Sequence, residues 1–505
     1  MAIVVLYLGT IAGIGLWMSR GTATTGGYFV ADRQVPRWVV GFTLMATLIS
    51  SNTLVAHPAI VYQKGMILVP GFMVLPFVLI LVAYYVVPFY RRVVGMSAYE
   101  YIGRRFGLGG RLYTSLGFLL ERTFDLGVTL VTTAVAVNVM TGWELTSVIL
   151  GIGLFTMAYT TLGGIRAVVW TDAIQGVLLI GGGFLILLRL LFAPEAGAPF
   201  AVVGEAWRHG RFDLGSTEVS WQSLQGSGTP TLWVFLFAMA LQWSRRFICD
   251  QHMVQRYLLA KTDAEARRGT LLGALLSVPV LVLFNLIGAL LFGFYQLAPT
   301  AAPAIGDQIL PHFIVHHLPA GVIGLMLAAI LAASMSSMSS DLNSLATVLT
   351  RDYIQRFWPR LDDRRLLRLG RLMVSLCGLV AIWLGTLLIP SESTLPIAER
   401  ALTIAVIVSA GSLGLFSLGF LTRRATRTGA YAGIVACVLF TSWGVLTEPG
   451  AQLLDLGRFN FGLNTILIGV LGHFLLFGVG YVVSLVFGGY RPADLDDLVR
   501  SSAQV

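Results

Sequence analysis

Hydrophobic positions in this chain do not alternate with polar ones. They gather in runs of about twenty residues, separated by short stretches that carry arginine, which is the pattern of helices crossing a bilayer. Thirteen spans are predicted, at 3–18, 38–62, 68–90, 112–140, 143–162, 168–192, 230–250, 268–296, 319–350, 366–389, 397–421, 428–446 and 462–487. At about 24 residues per span they use roughly 310 residues and leave the rest for loops and tails. An odd number puts the two termini on opposite sides.

Composition agrees with a polytopic all-α membrane protein. Of 505 residues, 56% are apolar and 12% charged, and mean hydropathy is +0.79. A soluble domain is about 45–50% apolar and about 25% charged, so a disordered chain, a collagen and nearly every soluble enzyme are excluded. The net charge of +9 points away from nucleic acid once its distribution is considered. Loops after odd-numbered spans, together with the tail, hold 27 of the 34 basic residues. Cytoplasmic loops carry the excess of Lys and Arg, so the N-terminus is expected outside and the C-terminus in the cytoplasm, at the plasma (inner) membrane. Ile3 to Met18 lacks a basic leader and reads as a retained span. Cys249, Cys377 and Cys437 each fall inside apolar stretches, which gives neither a disulfide framework nor a metal site. Two outer loops are long, at 193–229 and 296–318. The first reads as a lid. The second carries His312, His316 and His317, either solvated at a helix entrance or a metal site.

Polar residues inside spans are costly unless they line a cavity or bind something. The second span places Ser50, Ser51, Asn52, Thr53, His57 and Pro58 near its middle. Pro58 removes a backbone donor and frees a carbonyl, and a Ser/Asn/Thr cluster tolerates an interruption. An interrupted helix at mid-membrane offers carbonyls to a cation and amide ends to an anion; packing through small polar residues is the alternative. In the ninth span Ala333, Ser336, Ser337 and Ser340 fall at helical spacing, with Ser339 beside them. Sodium, a hard cation, takes several oxygen ligands, and such a stripe supplies them without a strong fixed charge. Glu121, Asp125, Asp172 and Asp250 are acidic residues within or at the ends of spans, and Arg122 sits beside the first two. Asp172 is also a carboxylate favoured at a helix N-terminus, and Asp250 also a partner for Arg245 or Arg246. P-loop, HExxH, CxxC and GxSxG patterns are absent from the sequence, so it presents neither an enzyme's catalytic residues, a cofactor site nor an ATP-driven engine.

Three segments then carry a resemblance: Tyr159 to Gly176 (YTTLGGIRAVVWTDAIQG), Asp250 to Lys261 (DQHMVQRYLLAK) and Ala332 to Ser344 (AASMSSMSSDLNS). They resemble the sodium/solute symporter family, the group of sodium/glucose, proline, pantothenate, iodide and sialic-acid carriers. Tyr28 to Trp38 and Ser97 to Gly107 resemble its first two cytoplasmic loops. The resemblance implies a single transporter domain over 1–505 with an inverted five-helix repeat of the leucine-transporter type. In that division 1–37 is a peripheral first helix and loop, 38–192 the first repeat, 193–229 an extracytoplasmic loop, 230–421 the second repeat, and 422–505 peripheral helices and a short tail. It implies uptake of a small polar organic solute, driven by inward sodium flow, by a protein working as a monomer in the lipid bilayer. A first sodium site is implied at Ser50, Thr53, Ala333, Ser336 and Ser337, and a second at Asp172, Ser339 and Ser340, hence two sodium ions and no other metal. Asn52, His57, Asp125 and Asp250 are the substrate-site candidates. Sugar carriers of the family use an acid–glutamine pair past the break in span two and a Glu in span three; here the matching stretch is Ala56–His57 and span three has no carboxylate. Asp125 stands near where the sialic-acid carriers place an Arg, and favours an amine-bearing solute unless Arg122 neutralises it. A proton-coupled carrier using Asp172, Asp125 or His57, and a solute-sensing membrane protein, are the alternatives.

Overall fold

The computed structural model describes the chain apart from residues 21–22, 219–223, 226–230, 390–408, 449–453, 494 and 500–505, and apart from the side chain of Asn52. Much of the expected eleventh span therefore lies outside the described residues, its described helix being Ser412–Leu421. Among the described residues nine helices are long and apolar enough to cross a membrane, and the pair Arg37–Leu48 and Thr53–Lys64, bent by 51°, makes a tenth. The second span is thus broken as expected. The break falls at Ile49 and Ser50, whose backbones are extended, and so lies before Pro58 rather than at it. Pro58 instead sits inside the outer half-helix, Ser51–Lys64.

The expected fifth and sixth spans are two helices joined at a kink within Leu145–Leu191. The kink is Gly164, at φ 58° and ψ −156°, a conformation open to glycine at no steric cost. A side chain there would also strike the Tyr28 ring, 2.6 Å from the position of a Cβ. The chain therefore turns at Gly163–Gly164, inside the boundary expected at 162–168, and the second helix follows at once.

At the centre lies Ala320–Val348, the ninth span, buried from Met326 to Val348. The first span, Ala2–Ser19, buries one face and is tied inward, Gln175 Nε2 donating to the Tyr7 hydroxyl at 2.9 Å. The eighth span, Asp263–Leu297, backs the broken helix so closely that a Cβ on Gly288 would lie 2.6 Å from the Pro58 carbonyl oxygen. Small residues allow this approach where no hydrophobic force drives helices together. The loop after the sixth span rests on the C-terminal end of the broken helix: Met66 N donates to the Arg211 carbonyl at 3.1 Å, and Arg211 donates to the Gln63 carbonyl at 2.5 Å. His312 shares a 2.8 Å hydrogen bond with Tyr295, and His316 bonds the His312 carbonyl. Among the described residues no group of three His, Cys, Asp or Glu side chains is set to hold a metal.

Candidate functional site

Two adjoining features are built around the break. The first is a buried knot of oxygens. Asp172 accepts a hydrogen bond from Ser336 Oγ at 2.6 Å on one oxygen and one from Thr43 on the other. Arg256 stands 3.7 Å from the Thr43-bonded oxygen and donates to Ser340 Oγ. Thr47, one turn from Thr43, lies 3.4 Å from the Ser340 hydroxyl. Asp172, Arg256 and the three hydroxyl-bearing partners Thr43, Ser336 and Ser340 are fully buried. A carboxylate without water needs a counter-charge and hydrogen-bond donors, and here three helices distant in sequence supply them.

The expected second site is therefore only partly assembled as its sequence implied. Asp172 and Ser340 meet around Arg256. Ser339 turns to the Ser336 carbonyl at 3.1 Å in its own helix. Ser336, assigned to the first site, instead touches Asp172. Thr43, Thr47 and Arg256 complete the knot. Thr43 and Thr47 were legible as an i, i+4 hydroxyl stripe in the first half of span two, and Arg256 lies inside a segment singled out for its resemblance.

The second feature is a cavity of about 350 Å³ beside the knot. Ser50, Thr53 and His57 line it from the broken helix, Leu68 and Phe72 from the third span, and Arg122 and Asp125 from the fourth. The seventh span presents Phe235, Met239, Gln242, Trp243 and Arg246, and the ninth Ser337 and Asp341. Ser50, Thr53 and Ser337 thus face one space. Ser337 Oγ is buried without a hydrogen-bond partner, and Ala333 is buried one turn before it. The Ser50 carbonyl already accepts from Thr53 N and Leu54 N. His57 stacks on Phe72 with ring centroids 5.5 Å apart.

Arg122 is 3.0 Å from Asp125 and 3.3 Å from Glu121, so the charge of Asp125 is largely spent inside the protein. Arg245 grips Glu121 with two nitrogens, at 2.6 and 2.8 Å. Asp250 does not line the cavity. It sits in a separate small cleft with Glu121, Arg245 and Cys249, 3.6 Å from Arg245 and 3.8 Å from Arg122, the ion-pair surroundings that the sequence also allowed. Arg246 and Asp341 have no ion-pair partner among the described residues, and both line the cavity. Arg245, Arg246 and Arg256 were counted with loop charges in the sequence. They are interior because the seventh span, Leu232–Cys249, and the helix Gln251–Leu259 after it run inside the bundle. The signal for the seventh-span lining was a helical stripe, with Phe235, Met239, Gln242 and Arg246 successively four, three and four residues apart.

A model of the sodium:solute symporter family matches residues 28–437. The chain belongs to this family. It is 31% identical over 497 residues to the sodium/sialic acid symporter NanT of Aliivibrio fischeri, covering 97% of this chain and 94% of that one. Identity to the sodium/glucose cotransporter of Vibrio parahaemolyticus is 30% over 461 residues, 86% of this chain and 83% of that one. A solved structure of a sodium-coupled sialic acid symporter, substrate-bound and outward-open, superposes with a TM-score of 0.84 at 27% identity, covering 97% of this chain and 98% of the other. The protein is thus a multi-pass membrane transporter with the inverted-repeat fold of the leucine-transporter type. Its function is sodium-coupled solute symport, with sodium a co-transported ligand rather than a cofactor.

Proposed function

We propose that the 350 Å³ cavity takes up a solute bearing a carboxylate together with hydroxyl or amide groups, an acidic sugar of the sialic-acid kind. The observation that carries this reading is Arg246, a guanidinium lining the cavity whose Nε is buried without a hydrogen-bond partner. A guanidinium matches a carboxylate with two parallel hydrogen bonds. The sialic-acid carriers place an Arg near the position of Asp125. Here Asp125 is held by Arg122, and Arg246 of the seventh span provides the cation from across the cavity. Gln242 and Asp341 accept hydrogen bonds from hydroxyl or amide N–H groups, and Phe72 and Trp243 cover the apolar ring faces. The two sialic acid symporters named above, each matching 97% of this chain, support the same class. Asp341 favours one second reading, a zwitterionic amino acid with its ammonium on that carboxylate.

Sodium binds in this reading at two places. One ion rests on carbonyls of Ser50, Thr53 and Ala333 with the hydroxyls of Ser337 and of Ser336, whose lone pairs stay open while its proton goes to Asp172, and steadies the break. A second rests near Asp172 with Ser339 and Ser340, where Arg256 must yield. The 38–192 and 230–421 segments act as the two repeats, and rocking between them exposes the cavity to either side. The N-terminus faces outward and the C-terminus the cytoplasm, in the plasma (inner) membrane, and one protomer suffices. Each sodium entering gains about 2.3 kcal/mol per 100 mV, plus its concentration term.

Uptake into proteoliposomes tests the solute. An inward sodium gradient is expected to concentrate a sialic acid. Arg246→Ala is expected to weaken its apparent affinity by about tenfold or more, the worth of a charge-assisted pair. A preference for an amino acid with a free ammonium, lost in Asp341→Asn, would favour the second reading. Uptake driven by a pH gradient without sodium would point to proton coupling, and binding without transport to a sensor.

A further inference from the structure

Far from the solute cavity, a second concavity of about 390 Å³ opens where the short helix Tyr99–Phe106, the start of the fourth span and the end of the ninth converge. Its charged and amide lining is Glu100, Arg104, Arg111, Arg351, Gln355 and Arg356. Four guanidiniums from three segments of chain therefore share one hollow, and Glu100 is the sole carboxylate among its lining residues.

The internal pairing accounts for part of this charge. Arg111 donates to Asp352 at 2.6 Å and to the Arg351 carbonyl at 3.2 Å. Arg351 donates to Glu100 at 2.8 Å and to Gln355. Burial alone would raise the Glu100 carboxyl, but Arg351 and the backbone N–H groups of Gly95 and Ser97 hold it below the usual range, so it is an anion. Arg104 donates to the Val93 carbonyl at 3.2 Å. Arg356 makes neither a hydrogen bond nor an ion pair with any described residue. The fourth-span helix, Leu108–Thr141, begins at this hollow, and its first amide groups carry no helical partner.

Like charges repel, and four guanidiniums lining one hollow, with Arg356 among them unpaired by any described residue, make a place that an anion relieves. Planar guanidiniums set around a concavity fit the oxygens of a phosphate better than a single point charge does. We propose that this hollow binds a phosphate group, carried either by the headgroup of an anionic phospholipid or by a soluble phosphate. In the orientation proposed above the hollow lies on the cytoplasmic side, where anionic headgroups attract basic clusters. Arg351 belongs to the segment Leu349–Ile354 that continues the ninth span, so a bound phosphate fastens the inner end of that helix to the start of the fourth.

Thermal unfolding of the purified full-length chain in neutral detergent distinguishes the sources. The probes are short-chain phosphatidylglycerol, the matching phosphatidylcholine, and inorganic phosphate against chloride at equal ionic strength. Binding to the folded form raises its stability. Stabilisation by phosphatidylglycerol but not by phosphate assigns the site to lipid, and stabilisation by inorganic phosphate assigns it to a soluble ligand. In either case Arg356→Gln is expected to weaken the apparent affinity about fivefold, the worth of one arginine near an anionic surface. That variant must keep its stabilisation by sodium, which shows that it is folded. If no probe shifts the unfolding temperature, or if Arg356→Gln leaves the shift unchanged, the proposal is wrong.

Discussion

Asp172 divides its two oxygens between helices distant in sequence, taking Ser336 on one and Thr43 on the other. With Arg256 3.7 Å away, the carboxylate already has a cation beside it, and a second sodium must compete with that guanidinium. Asp172→Asn removes the anionic ligand and is expected to lower the Hill coefficient for sodium in uptake from about two towards about one. Ser337→Ala is expected to raise the sodium concentration for half-maximal uptake, because its hydroxyl faces the cavity without a protein partner. Arg122 is structural as well as site-lining. Its removal leaves Asp125, whose side chain is 43% exposed, without its ion pair and takes from Glu121 one of its two arginines; Arg122→Ala should therefore unfold at somewhat lower temperature. The sequence made Asp172, Ser336 and Ser340 legible, because hydroxyls and a carboxylate inside apolar runs have few other reasons to be there. It left Arg246 and Asp341 unread. Arg246 looked like the start of a basic loop, and whether a charge is paired depends on contacts across more than a hundred residues of chain.

At the level of helices, the interruption of span two was visible as Ser50–Thr53 in an apolar run, while its position depended on backbone packing. Pro58 stays within a helix, its own backbone lying against the eighth span at Gly288. Gly288→Val is expected to abolish uptake and lower thermal stability, since its side chain would have to enter the backbone of the broken helix, 2.6–3.0 Å away. Gly164→Ala tests the kink between spans five and six. A positive φ costs about 1–3 kcal/mol for a residue with a side chain, and the Tyr28 ring blocks relief. A drop in unfolding temperature is expected, larger than for Gly151→Ala, where nothing stands within 4 Å. The turn between the fifth and sixth spans was legible as a glycine pair in an apolar run, which marks the break without saying that the second helix resumes at once.

On the scale of the whole molecule, the bilayer explains why hydropathy alone delivered the class and most of the spans, since an apolar solvent forces every backbone group into helices. Solute choice is settled elsewhere, by a handful of polar groups that four helices bring to one cavity. Coupling follows from shared structure: Ser50, Thr53 and Ser337 line the solute cavity and also belong to the proposed sodium site. An ion that steadies the break also shapes the solute site, and linkage makes the effect reciprocal. The most direct test is the affinity of the purified protein for a sialic acid in sodium chloride and in choline chloride at equal ionic strength. Binding at least about fivefold tighter in sodium is expected, the lower range of coupling between sites. Equal affinity in the two salts would contradict sodium-coupled binding at this cavity.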